Sequence, residues 1–241
     1  YAGVDYRAIL DSAEQEADVI VWDGGNNDTA FYKADLSIVV ADPLRVGNEL
    51  SYYPSETNLR MADVVIINKV DSAEPQAVFT LRENIRKVNK TAQIIEAASP
   101  VYAEQNGHIT GKRVLVIEDG PTLTHGEMKF GAGTVAAHKF GAREIIDPRP
   151  YCTGEIKKTF ETYPNIGVLL PAMGYSEKQV KDLEETINKV PCDTVIIGTP
   201  INLARIVTFN KPAVRVSYEL EEIGTPDLKS ILGKFVSTLK R

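Results

Sequence analysis

Met61-Ala62-Asp63-Val64-Val65-Ile66-Ile67-Asn68-Lys69-Val70-Asp71 is the stretch that decides how this chain is read. Val64–Ile67 is a run of β-branched residues bounded by polar ones. Such a run predicts a strand buried on both faces of a parallel sheet. Asn68-Lys69-Val70-Asp71 would then sit just past its carboxyl end, where open α/β sheets bind ligands. The residue types suit a purine that presents an N–H and an exocyclic NH₂ side by side. The Asp71 carboxylate can accept both in a charge-assisted bidentate pair. Asn68 offers an amide to the other edge of the base or to a neighbouring loop, and the Lys69 stem can lie along the ring. A strand followed by an ordinary polar turn is the alternative, and four letters with one free position do not separate the two.

Bulk properties narrow the class. The chain has 241 residues, enough for a full core and for one large or two small domains. Hydrophobic residues make up 43% and charged residues 25%, the balance of a water-soluble globular fold. A net charge of −6 argues against a general binder of nucleic acid or of anionic membranes. No apolar run approaches the roughly 20 residues that a membrane helix needs, so no membrane partner is expected. Cys152 and Cys192 stand far apart, which argues against a disulfide framework or structural zinc and makes a reducing cytoplasm the expected location. The chain opens at Tyr1 and enters a helical pattern almost at once, which predicts a further N-terminal portion in the whole protein.

Outward from Val64–Ile67 the pattern alternates strand and helix. On the N-terminal side, Asp5 is a cap for a helix through about Ala17. Asp18–Asp23 (D-V-I-V-W-D) predicts a buried strand ending in the turn-rich Gly24-Gly25-Asn26-Asn27-Asp28, and Leu36–Ala41 predicts a second, ending in Asp42-Pro43. A long loop from Leu44 to about Ser55 and a short helical piece lead into Val64. On the other side a helix spans Ser72 to about Asn89, and Ala92–Ala97 is a strand running into Ala98-Ser99-Pro100.

Residues 102–112 read as a connection, after which strands fit at 113–117, 144–146, 166–170, 194–197 and 214–218. Helices fit at 134–140, 154–162, 177–189, 201–209 and 228–239, with Ser176 and Gln179 forming a capping box. Successive βα units imply an α/β fold of predominantly parallel sheets with helices on both faces. Two halves, residues 1–110 and 111–241, are the simplest division, with one continuous large sheet as the competitor.

Two further constellations accompany the first. In Val19-Ile20-Val21-Trp22-Asp23-Gly24-Gly25, an acidic strand tip is followed by glycine, where nucleotide hydrolases hold Mg²⁺ and sense a γ-phosphate. Asp23 is the candidate metal-bearing catalytic carboxylate and Gly24, or Gly25 beside it, the candidate phosphate-sensing residue; a strand ending in a tight turn is the alternative. Ser99 joins Asn68, Lys69 and Asp71 as a candidate nucleotide-binding residue. In Glu118–His138, Gly131-Ala132-Gly133-Thr134 opens a helix, and glycines there let N–H groups approach an anion. His125, Lys129, Gly131, Gly133 and Thr134, with Arg149 from Asp147-Pro148-Arg149, are the candidate contacts for a phosphorylated or carboxylated substrate. A glycine-rich loop needed only for backbone geometry, and a rigid turn with a surface arginine, stand beside that reading.

A family resemblance covers these features. Ala41-Asp42-Pro43-Leu44-Arg45 followed by the Asn68-Lys69-Val70-Asp71 strand resembles P-loop GTPases of the metallochaperone and signal-recognition class. More closely, Y-A-G-V-D-Y at 1–6, W-D-G-G-N-N-D at 22–28, E-D-G-P-T-L-T-H-G at 118–126 and D-P-R-P-Y at 147–151 together resemble a predicted GTPase family related to cyclic 2,3-diphosphoglycerate synthetase. The resemblance spans nearly the whole chain. It implies a P-loop NTPase-like first half that reads the base and a second half that is a substrate-binding or accessory domain. GTP (or ATP) with Mg²⁺ is the implied cofactor, and a small anionic molecule the implied substrate. The implied reaction is nucleotide hydrolysis or synthetase chemistry by phosphoryl transfer. A metallochaperone-like switch that dimerises through the 44–56 loop, so that a homodimer partner is expected, and a non-catalytic α/β binding domain are the rival readings. The phosphate-cradling G-x-x-x-x-G-K-[S/T] is not in these residues; Gly107–Arg113 has the wrong spacing. The resemblance places that loop upstream of Tyr1.

Overall fold

A computed structural model of the chain describes residues 1–25, 28–120, 123, 130–173 and 176–239. The fold is α/β with mostly parallel sheets, in two compact units: residues 1–100 with 220–241, and residues 101–219. The division falls ten residues before the expected one, and the C-terminal segment returns to the first unit instead of closing the second.

The first unit is built on a four-stranded sheet, β1 (Ile38–Ala41), β2 (Val64–Ile67), β3 (Gln93–Ala98) and β10 (Glu221–Ile223), in that spatial order. β1, β2 and β3 are parallel, with Ile38 opposite Val64 and Val64 opposite Gln93. All of Val64–Ile67 is buried, and the strand faces two cores. Val65 and Ile67 pack with Leu59 of α3 (Ser55–Met61) and with Val78, Leu81 and Ile85 of α4 (Pro75–Val88). Val64 and Ile66 pack on the other face with Ile95, Ala97 and Ile231 of α8 (Leu228–Thr238). The uninterrupted apolar run is the mark of a strand covered on both sides. β10 closes the sheet antiparallel to β3, and no alternation of strand and helix forecast that edge. Asn89, at the end of α4, pins α3 to the start of β2. Its Nδ2 donates to the carbonyls of Leu59 (2.9 Å) and Ala62 (2.8 Å), while Oδ1 accepts from Ala92 N (2.9 Å).

Two expected elements of the first unit differ. The Asp5-capped helix α1 is Tyr6–Ala13, with the Asp5 side chain accepting from Ala8 N. Asp18–Asp23 forms no strand among the described residues, and Val21 is 84% exposed. A strand exists through its ladder partners, and β1, the edge nearest in the chain, pairs only with β2. Instead Trp22 and Phe31 meet Tyr6 and Tyr32 in an aromatic cluster, with the Tyr6 and Phe31 rings stacked 4.2 Å apart.

The second unit carries β4 (Val101–Ala103), β9 (Ala213–Tyr218), β8 (Thr194–Gly198), β5 (Arg113–Asp119) and β6 (Glu144–Ile145) in spatial order, with β7 (Leu170–Ala172) also on β5. Only β4 runs antiparallel. Its core joins β5 and β8 to α5 (Ala132–Lys139), α6 (Gly154–Thr162) and α7 (Glu177–Lys189), the last opened by the expected Ser176–Gln179 capping box. The helix expected over 201–209 is reduced to one 3₁₀ turn, Leu203–Arg205. Val, Thr, Phe and Asn in that segment are weak helix formers, and burial of Leu203 and Val207 is met without a helix. No helix among the described residues is long and apolar enough to cross a membrane.

Candidate functional site

The carboxyl ends of β1, β2 and β3 converge on the turn that follows β2. Asn68 N donates to Ala41 O (3.0 Å) at the end of β1, and Val70 N donates to Ala97 O (3.1 Å) near the end of β3. The turn closes on itself through Ser72 N to Lys69 O (3.0 Å). Lys69 holds the left-handed backbone conformation at φ 60°, uncommon for any residue but glycine. The turn therefore bridges both neighbouring strands, and its side chains stand in the position that parallel sheets use for ligands.

The side chains are partly committed. Asp71 Oδ1 accepts from Ser99 N at 2.9 Å, so the structure brings together two of the expected nucleotide-binding residues from different strands. The Lys69 ammonium donates to Asp42 Oδ2 at 2.8 Å, and Asp42 Oδ1 accepts from Leu44 N at 3.0 Å. Asn68 Oδ1 is buried and has no hydrogen-bond partner among the described residues. Leaving a buried acceptor unmade costs about 1–3 kcal/mol, so this atom marks a place where a donor is wanted.

Asp23 and Gly24 lie in the irregular, exposed segment after α1, so their expected placement at a strand tip does not arise. Gly25 N donates to Asp28 Oδ2 (3.2 Å), and Asn58 Nδ2 of α3 donates to Asp28 O (2.7 Å), which ties this loop to the first unit. Among the described residues no cluster of three His, Cys, Asp or Glu side chains could hold a metal ion. The segment expected as a loop before α3 holds a short helix, α2 (Asn48–Ser51), whose Glu49 accepts from Asn84 Nδ2 of α4 and from Gly47 N, both at 2.7 Å, while Tyr53, after it, is exposed.

In the second unit the expected anion donors meet a carboxylate of the chain itself. Glu118, at the end of β5, is buried, and its Oε1 accepts from Gly131 N (3.1 Å), Thr134 N (2.8 Å) and Thr134 Oγ1 (3.0 Å). Burial pushes its carboxyl above the ordinary range, and the hydrogen bonds from Thr134, Gly133 and Gly131 pull against that shift. The glycines fit around it: a Cβ on Gly198 would come within 2.6 Å of Glu118 Oε2, and one on Gly133 within 2.9 Å of Val116 Cγ1. The N-terminus of α5 thus donates to a carboxyl of the chain itself. His125 and Lys129 lie outside the described residues. Arg149 is paired with Asp147, Nε reaching both carboxylate oxygens (2.9 and 3.0 Å) and Nη2 one of them (2.6 Å), which holds the Asp147 carboxyl below its usual range.

Reading the sequence missed two residues that shape these places, Asp42 and Glu118. The signal shared by both is a carboxylate at the carboxyl end of a predicted parallel strand.

Comparison with known proteins gives the class first. Residues 13–96, which run from the end of α1 into β3 and include Asp42 and the whole 68–71 turn, match the family model of the CobW/HypB/UreG nucleotide-binding domain. This region is therefore similar to a P-loop GTPase nucleotide-binding domain. A particular protein is similar over the full length of the chain. Arginine synthetase ArcE of Thermococcus kodakarensis (strain ATCC BAA-918 / JCM 12380 / KOD1) is 60% identical over 241 residues, covering 100% of this chain and 54% of that protein. The chain spans about half the length of this curated relative.

Proposed function

We propose that this chain is the base-reading portion of a GTP-dependent synthetase. The observation that carries the proposal is the turn after β2, where Asp71 is held by Ser99 N at the carboxyl ends of three parallel strands. The residues of that turn fit guanine. Its N1–H and N2–H₂ are parallel donors for the Asp71 carboxylate, whereas adenine presents no such pair. Asn68 takes the remaining polar edge or a neighbouring loop, and the Lys69 stem covers one face of the ring. The match of residues 13–96 to a nucleotide-binding domain supports this assignment.

GTP would supply the phosphoryl group that activates a carboxylate or phosphate on a small substrate. Asp23 is the candidate Mg²⁺ ligand, because Mg²⁺ that travels with a nucleotide takes only one or two carboxylates from a protein and fills its shell with phosphate oxygens and water. Gly24 would sense the γ-phosphate. The relative's name, arginine synthetase, supports the synthetase side of the reading and makes an amino acid the first substrate to try. Kinship with cyclic 2,3-diphosphoglycerate synthetase belongs to the same proposal and favours a phosphorylated substrate.

In the second unit the amides of Gly131 and Thr134 are engaged by Glu118. There Arg149 is the candidate for the substrate's anionic group, released from Asp147 on binding, with His125 and Lys129 as further candidates. The nucleotide-domain match also favours a second reading, a GTPase switch with nucleotide-dependent dimerisation. The test is a titration of the full-length protein with GTP and ATP, followed by product analysis with amino-acid and phosphorylated substrates. Tighter GTP binding with GTP-dependent ligation supports the synthetase. GTP hydrolysis that changes only the oligomeric state favours the switch, and equal binding of the two nucleotides defeats the guanine assignment.

A further inference from the structure

The ion pair between Lys69 and Asp42 joins two strand ends that the sequence separates by 27 positions. Asp42 follows Ala41, whose carbonyl already accepts from Asn68 N, so the carboxylate leaves β1 directly beside the turn after β2. Its two oxygens do different work. Oδ1 accepts from Leu44 N and caps the 3₁₀ turn Pro43–Arg45, and Oδ2 takes the Lys69 ammonium at 2.8 Å. The Asp42 side chain is only 15% exposed and Lys69 36%, so water screens the pair less than it would an ordinary surface bridge. Arg45 reaches the same oxygen more loosely, at 3.6 Å.

We infer that Asp42 is a positioning residue for the base site, holding the Lys69 side chain in place before the nucleotide arrives. The inference rests on the guanine reading proposed above. A lysine stem has several rotatable bonds, and a ligand that must order it on binding loses affinity. Here the backbone of Lys69 is set by neighbouring hydrogen bonds in the left-handed region, and its far end is set by Asp42. Both ends of the stem are therefore anchored, and the methylene chain between them is presented at the base site. The role is separate from that of Asp71, which chooses the base, and it acts at the base end of the nucleotide. Loss of Asp42 should weaken GTP and GDP alike.

The test is a double-mutant cycle on the full-length protein, with the Kd values of GTP, GDP and ATP measured by titration calorimetry for wild type, Asp42→Asn, Lys69→Met and the double variant. Asparagine keeps an oxygen for Leu44 N, so the 3₁₀ cap survives and only the charge facing Lys69 is lost; a urea midpoint on each variant checks the fold. Asp42→Asn is expected to weaken GTP and GDP by the same factor, about three- to tenfold, and to have no further effect once Lys69 is Met. An equal loss in the Lys69→Met background would show that Asp42 acts through the loop after β1 and would overturn the inference. So would unchanged affinity in Asp42→Asn, or a loss confined to GTP. Failure of the wild type to prefer GTP over ATP would overturn the guanine reading itself, an outcome distinct from all of these.

Discussion

Asp71→Asn offers the sharpest examination of the proposed base site. In the folded chain Asp71 Oδ1 accepts from Ser99 N, and an asparagine retains an oxygen that can do the same. The substitution therefore leaves the turn anchored and changes what faces the ligand. Against guanine it converts one of two acceptors into an NH₂ donor opposed to a donor. A hydrogen bond to a charged group contributes about 1.5–3 kcal/mol, roughly 10- to 150-fold in Kd. Asp71 is exposed in this structure, which places the expectation near tenfold, the weak end. The preference for GTP over ATP should collapse by that factor, with ATP affinity nearly unchanged. Asparagine also presents one donor and one acceptor side by side, the complement of a purine with N1–H next to C2=O. Xanthosine triphosphate should gain where GTP loses. The assay is competition of the three nucleotides against a fluorescent guanine nucleotide on the full-length protein. A variant that keeps the wild-type GTP:ATP ratio, or loses all three nucleotides equally, would refute the bidentate pairing.

Other expectations concern the fold around the sites. Gly198→Ala would bring a Cβ within 2.8 Å of Gly133 Cα and 2.6 Å of Glu118 Oε2, and overpacking of this kind costs about 1–3 kcal/mol, readable as a lower urea midpoint. Glu118→Gln probes linkage. Because burial raises the Glu118 carboxyl in the folded state, the stability it contributes is fully present below the unfolded carboxylate's pKa and is lost as pH rises through the raised folded value. Glutamine does not ionise, so the stability of the variant relative to wild type should improve as pH rises from 4 to 8; a parallel pair of stability curves would contradict the shift. Leu81→Ala removes a fully buried side chain between α4 and β2 and should cost about 2–5 kcal/mol by urea denaturation.

Much of this architecture is legible in the amino-acid sequence. Val64–Ile67 declared itself because a strand covered on both faces has no room for alternation, and the caps at Asp5 and Ser176 declared themselves because they are local hydrogen bonds. The Asn68–Asp71 turn was legible for a related reason: it follows the apolar run directly in the chain, at the end of the strand. Asp18–Asp23 misled because it has the composition of a strand, while strandhood depends on a neighbouring ladder that composition cannot see. The return of β10 and α8 to the first unit was hidden likewise, since Glu221–Ile223 pairs with Glu96–Ala98 across more than a hundred residues of intervening chain.

Side-chain pairings drew the same line. Gly131, Gly133 and Thr134 were legible as donors by type, but only the packed second unit could show that the Glu118 carboxyl accepts from Gly131 and Thr134. Lys69 was expected to lie along a base, and only the convergence of β1 and β2 could show that Asp42 holds its far end. Residue type and near-neighbour spacing determine which groups are offered. Which of them are already engaged is decided by contacts between residues far apart in sequence, because burial and charge pairing are properties of the assembled strands.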